Sequence, residues 1–408
     1  MIPPELAALR SPHAVRARSH MVLDHVLAGA SPHFTVDETR LGAVADYVAE
    51  VTRRAYPTLD IPYHSRWRHF DAGGVARWDA LAGTLEGVDT LERARIMVDL
   101  AVVSVLLDAG AGDAWRYHED ATGLTVTRSE GLAVASLHMF QAGAFSSDPA
   151  VPLRVDAPAL IALDAATLAR HFQVGPDNPL VGVPGRVTLL NRLGEAMAAR
   201  TDLFGDGATR PGGLIDALLP QAKVGRLPAA RILEALLDGL SVIWPAGLVV
   251  DGVLLGDVGR HSAITVPDRS AGLVPFHKLS QWLTYSLLEP FEAAGVAVVD
   301  LDELTALPEY RNGGLLVDLE LIVPRRPIDP AQKHSVDSEM IVEWRALTVA
   351  LMDRLAGAVR ERLGLDADSF PFAKLLQGGT WTAGRQIAAQ KRAGGPPPIA
   401  IDADGTVF

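Results

Sequence analysis

The chain has 408 residues, 49% of them apolar and 21% charged, a balance that suits a globular protein with a sizeable core. Its net charge of -12 excludes a broad nucleic-acid-binding face, which needs basic groups to neutralise phosphates. The lack of cysteine removes disulfides, thiolate nucleophiles and cysteine-based zinc sites together.

At ~150 residues per domain, the length gives two or three domains or one large one. The opening MIPPELAALRSPHAVRARSH lacks an apolar core of about 7–15 residues behind a basic start, so no secretory signal is expected. The longest apolar stretch, LSVIWPAGLVVDGVLLGDV, is interrupted by Pro245, Gly247, Asp251 and Gly252. A spanning helix needs ~20 continuous apolar residues, so a soluble, cytoplasmic protein without membrane contact is expected.

Residues 13–54 read as helical, with Val22, Val26, Leu41, Val44, Val48 and Val51 at three- or four-residue spacing. Ser31-Pro32 breaks the run, and Thr35 or Asp37 is the candidate cap for its second half. Next comes IPYHSRWRHFDAGGVARW, where His64, Arg66, Trp67, Arg68, His69 and Phe70 precede a Gly73-Gly74 turn. Two readings stand side by side: a surface loop in which arginine stacks on tryptophan, or a substrate-facing loop whose rings stack on a flat group while arginine binds an anion or carbonyl.

LERARIMVDLAVVSVLLDAG is apolar almost all round and marks a buried helix. RSEGLAVASLHMFQAG reads as a helix capped by Ser129, with Glu130 in its first turn. His118 and His138 read as ordinary histidines rather than ligands. Prolines crowd residues 146–186 around one short helix near Asp164–His171, which suggests a connector. The chain therefore divides into an N-terminal helical half, 1–150, and a C-terminal half, 151–408, unless the two form one intertwined domain. VPGRVTLLNRLGEAMAAR is a helix opened by Pro184, and LPAARILEALLDGLSVIWP an amphipathic one stopped by Pro245.

The densest chemistry lies between residues 251 and 314. Asp257, His261, His277, Lys278, Glu309 and Arg311 sit between segments rich in leucine, valine and alanine, where ionisable groups are costly unless paired, liganded or used. Asp257 and His261 are one helical turn apart if the segment is helical, although Gly259 weakens that premise. With His277, and Glu309 as a fourth group, they form a candidate set for zinc or another divalent ion. Glu309 in LPEYRNGG is the best single catalytic carboxylate, at an expected helix end before Gly313 and Gly314; a salt bridge to Arg311 is the plainer reading. Lys278 and Arg311 either bind a phosphate or carbonyl or neutralise neighbouring carboxylates.

GLLVDLELIVPRRP reads as a short helix on context. From Ser338, Trp344, Leu347, Leu351, Leu355, Val359 and Leu363 recur at helical spacing for about 25 residues, with Glu339 and Glu343 on one face and Arg345 nearby. An exposed charge is the plainer reading of Glu339. GGTWTAGRQIAAQKRAGG looks like a glycine turn opening a helix, with Trp381 and Arg385 near an N-terminus able to hold an anion. The last stretch, GGPPPIAIDADGTVF, reads as extended. There is no Gly-x-Ser-x-Gly elbow, Walker loop or Gly-x-Gly-x-x-Gly, which disfavours serine-hydrolase, nucleotide-hydrolysing and dinucleotide chemistry.

At HSRWRHF, RSEGLAVAS, PFHKLSQWLTYSL, LPEYRNGG and SEMIVEWRALTV the sequence resembles the uracil-catabolism family of fungi and bacteria, over nearly the whole chain. That family accompanies uracil phosphoribosyltransferase-like and GTP-cyclohydrolase-like enzymes in a pathway that releases urea. A more distant likeness is to queuosine-salvage nucleoside glycosylases, relatives of the helix-hairpin-helix DNA glycosylases. Their Tyr-Lys-Arg-Ala-Gln, Asp-Tyr-Arg and Glu-x-Glu-Ile-Arg patterns are matched by His277-Lys278-Leu279-Ser280-Gln281, Glu309-Tyr310-Arg311 and Glu343-Trp344-Arg345. The likeness implies a mostly α, helix-hairpin-helix glycosylase-like fold with minor β, and places Glu309 where those enzymes carry a catalytic aspartate. His277 for tyrosine, Glu309 for aspartate and the extra His261 each add or lengthen a metal-ligating group.

The expectation is thus a C–N hydrolase. In its first form, a water on a divalent metal (zinc favoured), its pKa lowered towards about 7, opens the uracil ring at C4. Asp257, His261, His277 and Glu309 are its ligands, and Glu309 and Asp257 the catalytic carboxylates. His64, Arg66, Trp67, Arg68, Lys278, Tyr310, Arg311, Glu343 and Arg345 face substrate. In the second form, an N-glycosidase cleaves ribosylurea or its phosphate, with Glu309 at the oxocarbenium-like centre. In the third, the chain is a non-catalytic binding protein of the pathway.

Overall fold

A computed structural model describes residues 2–108, 110–244, 247–329 and 331–402. The described chain is mostly α, with short two-stranded ribbons in place of any larger sheet. It splits into two units: residues 2–64, 247–281 and 300–402 make the first, and residues 65–244 and 282–299, as far as they are described, the second. The proline-rich boundary near residue 150 therefore falls within the second unit.

The first unit is organised on the helix Glu339–Leu363, which Gly364 ends in the left-handed conformation favoured at helix C-termini. Its apolar residues are buried nearly all round because helices Pro12–Leu27 and Leu41–Ala55 pack along it. These two are the halves of the long periodic run broken at Ser31-Pro32. Asp37 accepts from Thr39 N and opens the turn Glu38–Arg40 ahead of Leu41, whereas Thr35 sits in strand Phe34–Val36. That strand pairs antiparallel with Ile322–Pro324, so the segment read as a short helix after Gly314 ends in β-structure.

A second difference bears on the site. Val258–Arg260 is a strand paired antiparallel with Leu273–Pro275, with Gly259 opposite Val274. Asp257 and His261 are therefore not stacked on a helical turn. Gly259 tolerates no side chain here, since a Cβ would lie 2.5 Å from Val342 of the long helix.

The second unit is built on helices Thr90–Leu106, Arg128–Gln141, Val183–Ala199 and Ala229–Leu240. Asp89 caps the first by accepting from Leu91 N and Glu92 N. The second starts one residue before the expected cap: Thr127 is the N-cap residue, and Ser129 lies inside the helix. Helix Ala229–Leu240 runs into a 3₁₀ turn at Ser241–Ile243; Pro245, read as its stop, lies outside the described residues, as does the chain beyond residue 402. No helix among the described residues is long and apolar enough to cross a membrane.

Candidate functional site

Arg345 is the rivet of the first unit's polar centre. It is 5% exposed, and both guanidinium Nη atoms donate to the Asp257 carboxylate at 2.8 Å, the planar bidentate pairing that arginine makes best. Its Nε reaches Pro308 O at 3.4 Å and its guanidinium lies 4.0 Å from the Phe276 ring. Asp257 also accepts from Lys278 N at 3.0 Å through its side chain, and from Phe276 N and His277 N through its carbonyl. Burial alone would raise the Asp257 carboxyl, but Arg345 and the Lys278 amide hold it below its ordinary value. Asp257 is a fixed anion that ties the segments at 257, 276–278 and 308 together.

His277 comes next, with φ +47°, a conformation uncommon for a side-chain-bearing residue. Its Nε2 donates to Leu9 O at 3.0 Å, and burial lowers its pKa, so the ring is neutral.

Glu309 begins helix Tyr310–Asp318 rather than ending one. It is the N-cap: its two oxygens accept from Arg311 N at 2.8 Å and Asn312 N at 2.7 Å. Gly313 and Gly314, read as helix breakers, lie inside this helix and permit contact. A Cβ at Gly313 would lie 2.8 Å from Trp344 Nε1, and one at Gly384, on helix Trp381–Lys391, 2.4 Å from Arg311 O. Helix Tyr310–Asp318 is thus pressed between two neighbours, which fixes where Glu309 stands. Burial raises the Glu309 carboxyl above its ordinary range against the two amides and the charges of Lys278 and Arg311.

An aromatic–cationic face continues from it. The Arg311 guanidinium lies 5.0 Å from the Tyr310 ring and 5.2 Å from the Trp381 ring, and Arg385 lies 4.9 Å from Trp381. The His64 ring is 5.8 Å from Trp381. Its Nδ1 bonds Gln377 Oε1 at 3.0 Å, and the Gln377 amide nitrogen reaches Tyr56 Oη at 3.1 Å. Burial lowers the His64 pKa, so this ring too is neutral. Gln377 and its neighbours form a π-helical turn, Leu376–Thr380, continuous with helix Trp381–Lys391 where a glycine loop was expected. Gln377 carried no sequence signal; its role depends on that turn and on residues more than 300 positions away.

Among known proteins, residues 8–408 match the family described as "Protein of unknown function (DUF1688)". The chain belongs to that family. It is 40% identical over 413 residues to "Protein urg3" of Schizosaccharomyces pombe, covering 99% of this chain and 99% of that protein. It is 36% identical over 436 residues to "Uracil catabolism protein 4" of Lachancea kluyveri, covering 98% of each.

For this family member the metal set Asp257, His261, His277 and Glu309 can be tested on its donor atoms. Asp257 is held by Arg345, His277 Nε2 by Leu9, and Glu309 by two amides. His261 Nδ1 accepts from Ala263 N at 3.1 Å, which leaves Nε2 to donate to Glu343 Oε2 at 2.9 Å. Among the described residues no three His, Asp or Glu side chains are grouped to hold a metal ion. These residues do not fit a zinc site. Glu343 is 0% exposed and also takes Ser31 Oγ at 2.5 Å, so it joins the loop after helix Pro12–Leu27 to the long helix. Glu339, on the same face, caps the backbone at Ser262 N at 2.7 Å.

In the second unit, Trp67 is 3% exposed, packs against Phe70 and Trp78, and donates Nε1 to Ser286 O at 2.9 Å. It is buried among these partners rather than presented on a surface loop. Arg66, 0% exposed, donates to Ser104 Oγ at 2.7 Å and pairs with Asp108 at 3.1 Å. Arg68 is half-buried and meets Glu289, a residue the sequence did not single out, at 3.3 Å.

Proposed function

We propose that this chain is a hydrolase of uracil catabolism that cleaves the N-glycosidic C–N bond of ribosylurea or its phosphate without a metal. The name of the relative from Lachancea kluyveri supports the pathway, and the distant likeness to nucleoside glycosylases supports the bond and a helix-hairpin-helix glycosylase-like core. The observation that carries the chemistry is Glu309: a half-buried carboxyl at a helix N-terminus, raised by burial and acted on by two cations.

In this reading the C1′–N bond breaks with its electron pair leaving on the ureido nitrogen, and positive charge grows on the sugar. Ionised Glu309 stabilises that charge and takes a proton from the attacking water as its oxygen bonds C1′; that proton passes on to the ureido nitrogen, which leaves neutral, and Glu309 returns to the carboxylate. Lys278 donates to the ureido carbonyl, drawing electrons toward the leaving group. Arg311 and Arg385, flanking Trp381, bind the phosphate. Opening of the uracil ring by a metal-bound water is the weaker reading, because the donor atoms proposed for the metal are already engaged.

The test is mass-spectrometric assay of purified protein on uracil, uridine monophosphate, ribosylurea and ribosylurea phosphate, with and without a chelator. The expected result is turnover of the ribosylureas alone, undiminished by chelation, and a loss of about 1000-fold in Glu309→Gln. Consumption of free uracil that stops on chelation would replace this reading with ring opening. Saturable binding without turnover of any of them would leave a binding protein.

A further inference from the structure

The second unit contains a seam of polar groups that the proposed glycosidase chemistry does not use. Trp282, Ser286 and Glu289 fall four and three residues apart on helix Lys278–Ala293, so they share one face. Residues 65–69 lie along it. Arg66 N donates to Ser286 Oγ and Trp67 Nε1 to Ser286 O, both at 2.9 Å, which clamps the middle of the seam.

Its two ends are differently exposed. At the mouth, Arg68 and Glu289 have side chains 34% and 22% exposed and touch through one bond of 3.3 Å between Arg68 Nη2 and Glu289 Oε1. Glu289 Oε2 and Arg68 Nε are buried with no hydrogen-bond partner among the described residues. At the closed end, the guanidinium of the fully buried Arg66 lies 5.8 Å from the ring of Trp282, which is 7% exposed. Arg66 Nη2 and Trp282 Nε1 also have no partner among the described residues. Native proteins bond nearly all such groups, so a concentration of them on two facing segments points to a ligand.

We propose that this seam binds a small extended amide, with a ureido or carbamoyl group at the Arg68–Glu289 mouth and an acceptor oxygen at the Arg66–Trp282 end. The atoms decide the class. Glu289 Oε2 requires an N–H, and Arg68 Nε beside it requires an oxygen, which the edge of a carbamoyl group supplies together. A simple anion would face the Glu289 carboxylate, and a simple cation would face the two arginines. Trp282 Nε1 and Arg66 Nη2 only donate, so the far end of the ligand is an oxygen. Seven helical residues separate Trp282 from Glu289, a rise of about 10 Å, which sets the length and rules out urea alone.

Charge at the mouth tunes the site. Burial pushes the Glu289 carboxyl up to about 7, with Arg68 and the Ser65 hydroxyl opposing the shift and Glu292 and Asp71 adding to it. The ionised form accepts the ligand N–H, so binding strengthens as pH rises through that value.

The experiment separates this proposal from the Glu309 chemistry. Calorimetric titration of the full chain with N-carbamoyl-β-alanine is compared with β-alanine, urea and inorganic phosphate. The ureido acid alone is expected to bind saturably. Glu289→Gln and Trp282→Phe, each verified as folded by circular dichroism, should weaken it at least tenfold, while Glu309→Gln leaves it unchanged. Affinity should fall as pH drops from 8 to 6 in the unsubstituted protein and stay flat in Glu289→Gln. No binding of the ureido acid, equal binding of phosphate, or an unaltered affinity in folded Glu289→Gln overturns the proposal.

Discussion

Arg77–Glu119 and Arg68–Glu289 are both arginine–glutamate pairs of the second unit, yet their carboxyls titrate at opposite ends of the scale. Arg77 donates Nε and Nη2 to the two Glu119 oxygens at 2.7 and 2.6 Å, and His138 and Thr122 add bonds at 2.7 and 2.5 Å. Arg77 spends its remaining Nη1 on Phe70 O and Ala72 O. The Arg77 bonds lead in drawing the Glu119 carboxyl down to about 2. Glu289 accepts one long bond from Arg68, and burial pushes it up to about 7 against Arg68 and the Ser65 hydroxyl. A neighbouring opposite charge does not by itself keep a buried carboxylate ionised; the number of hydrogen bonds to it does. The saturated pair is scaffold, and the unsaturated one is where the proposed ligand would bind.

The strongest test of that contrast is Arg77→Leu. It strands a carboxylate that is 4% exposed, and a loss of about 3–5 kcal/mol is expected in guanidinium unfolding. Arg68→Leu, at the exposed mouth, should cost less than about 1 kcal/mol. Similar losses from both would erase the distinction.

Next in size is the pH dependence, where the two carboxyls act with opposite sign. Glu119 contributes stability that is full above its ordinary pKa and disappears as pH falls towards about 2. Glu289, raised on folding, contributes stability that is full below its ordinary pKa and is lost as pH rises through about 7. That loss is on the order of 3 kcal/mol across the interval. Unfolding free energies measured from pH 4.5 to 8 should therefore rise in Glu289→Gln relative to the unsubstituted protein towards the alkaline end. A constant difference across the range would show that Glu289 does not titrate as stated.

Gly384→Ala ranks third. Its Cβ would meet a backbone oxygen at 2.4 Å, so helix Trp381–Lys391 must move off the turn that carries Glu309. Overpacking of this kind costs about 1–3 kcal/mol, and turnover should fall even where the protein remains folded. Smallest in stability is Glu309→Gln, which keeps an acceptor for a helix amide and should cost less than about 1 kcal/mol in thermal or denaturant unfolding. Set beside its expected loss of activity, that small cost separates a chemical role from a capping one; a larger stability loss with unchanged turnover would make Glu309 a cap alone.

The long helices were readable because periodicity survives without knowledge of partners: Glu339–Leu363 repeats its apolar residues along its whole length, and Thr90–Leu106 is apolar nearly all round. Glu309 was legible as a candidate catalytic carboxylate in the LPEYRNGG motif; the bond it takes from Arg311 is from the backbone amide. Its place at a helix start rather than an end was hidden, since Gly313 and Gly314 look like breakers until Trp344 and Pro398 come to lie against them. Strand Val258–Arg260 is too short to alternate, which is why Asp257 and His261 looked like a helical pair. Trp67 read in sequence as either an arginine-stacked loop residue or a stacking platform, and only tertiary packing shows it buried beside Phe70 and Trp78. Glu119 and Glu289 had no local sign at all, because what sets them apart is how many donors arrive from elsewhere.

The interleaving of the two units has a consequence for biosynthesis. Residues 2–64 emerge from the ribosome well before the segments that complete their unit, which begin only at residues 247 and 300. Helices Pro12–Leu27 and Leu41–Ala55 then wait, apolar faces uncovered, for helix Glu339–Leu363 to be translated. The nascent N-terminal stretch is in that interval the segment most exposed to aggregation and to chaperone capture.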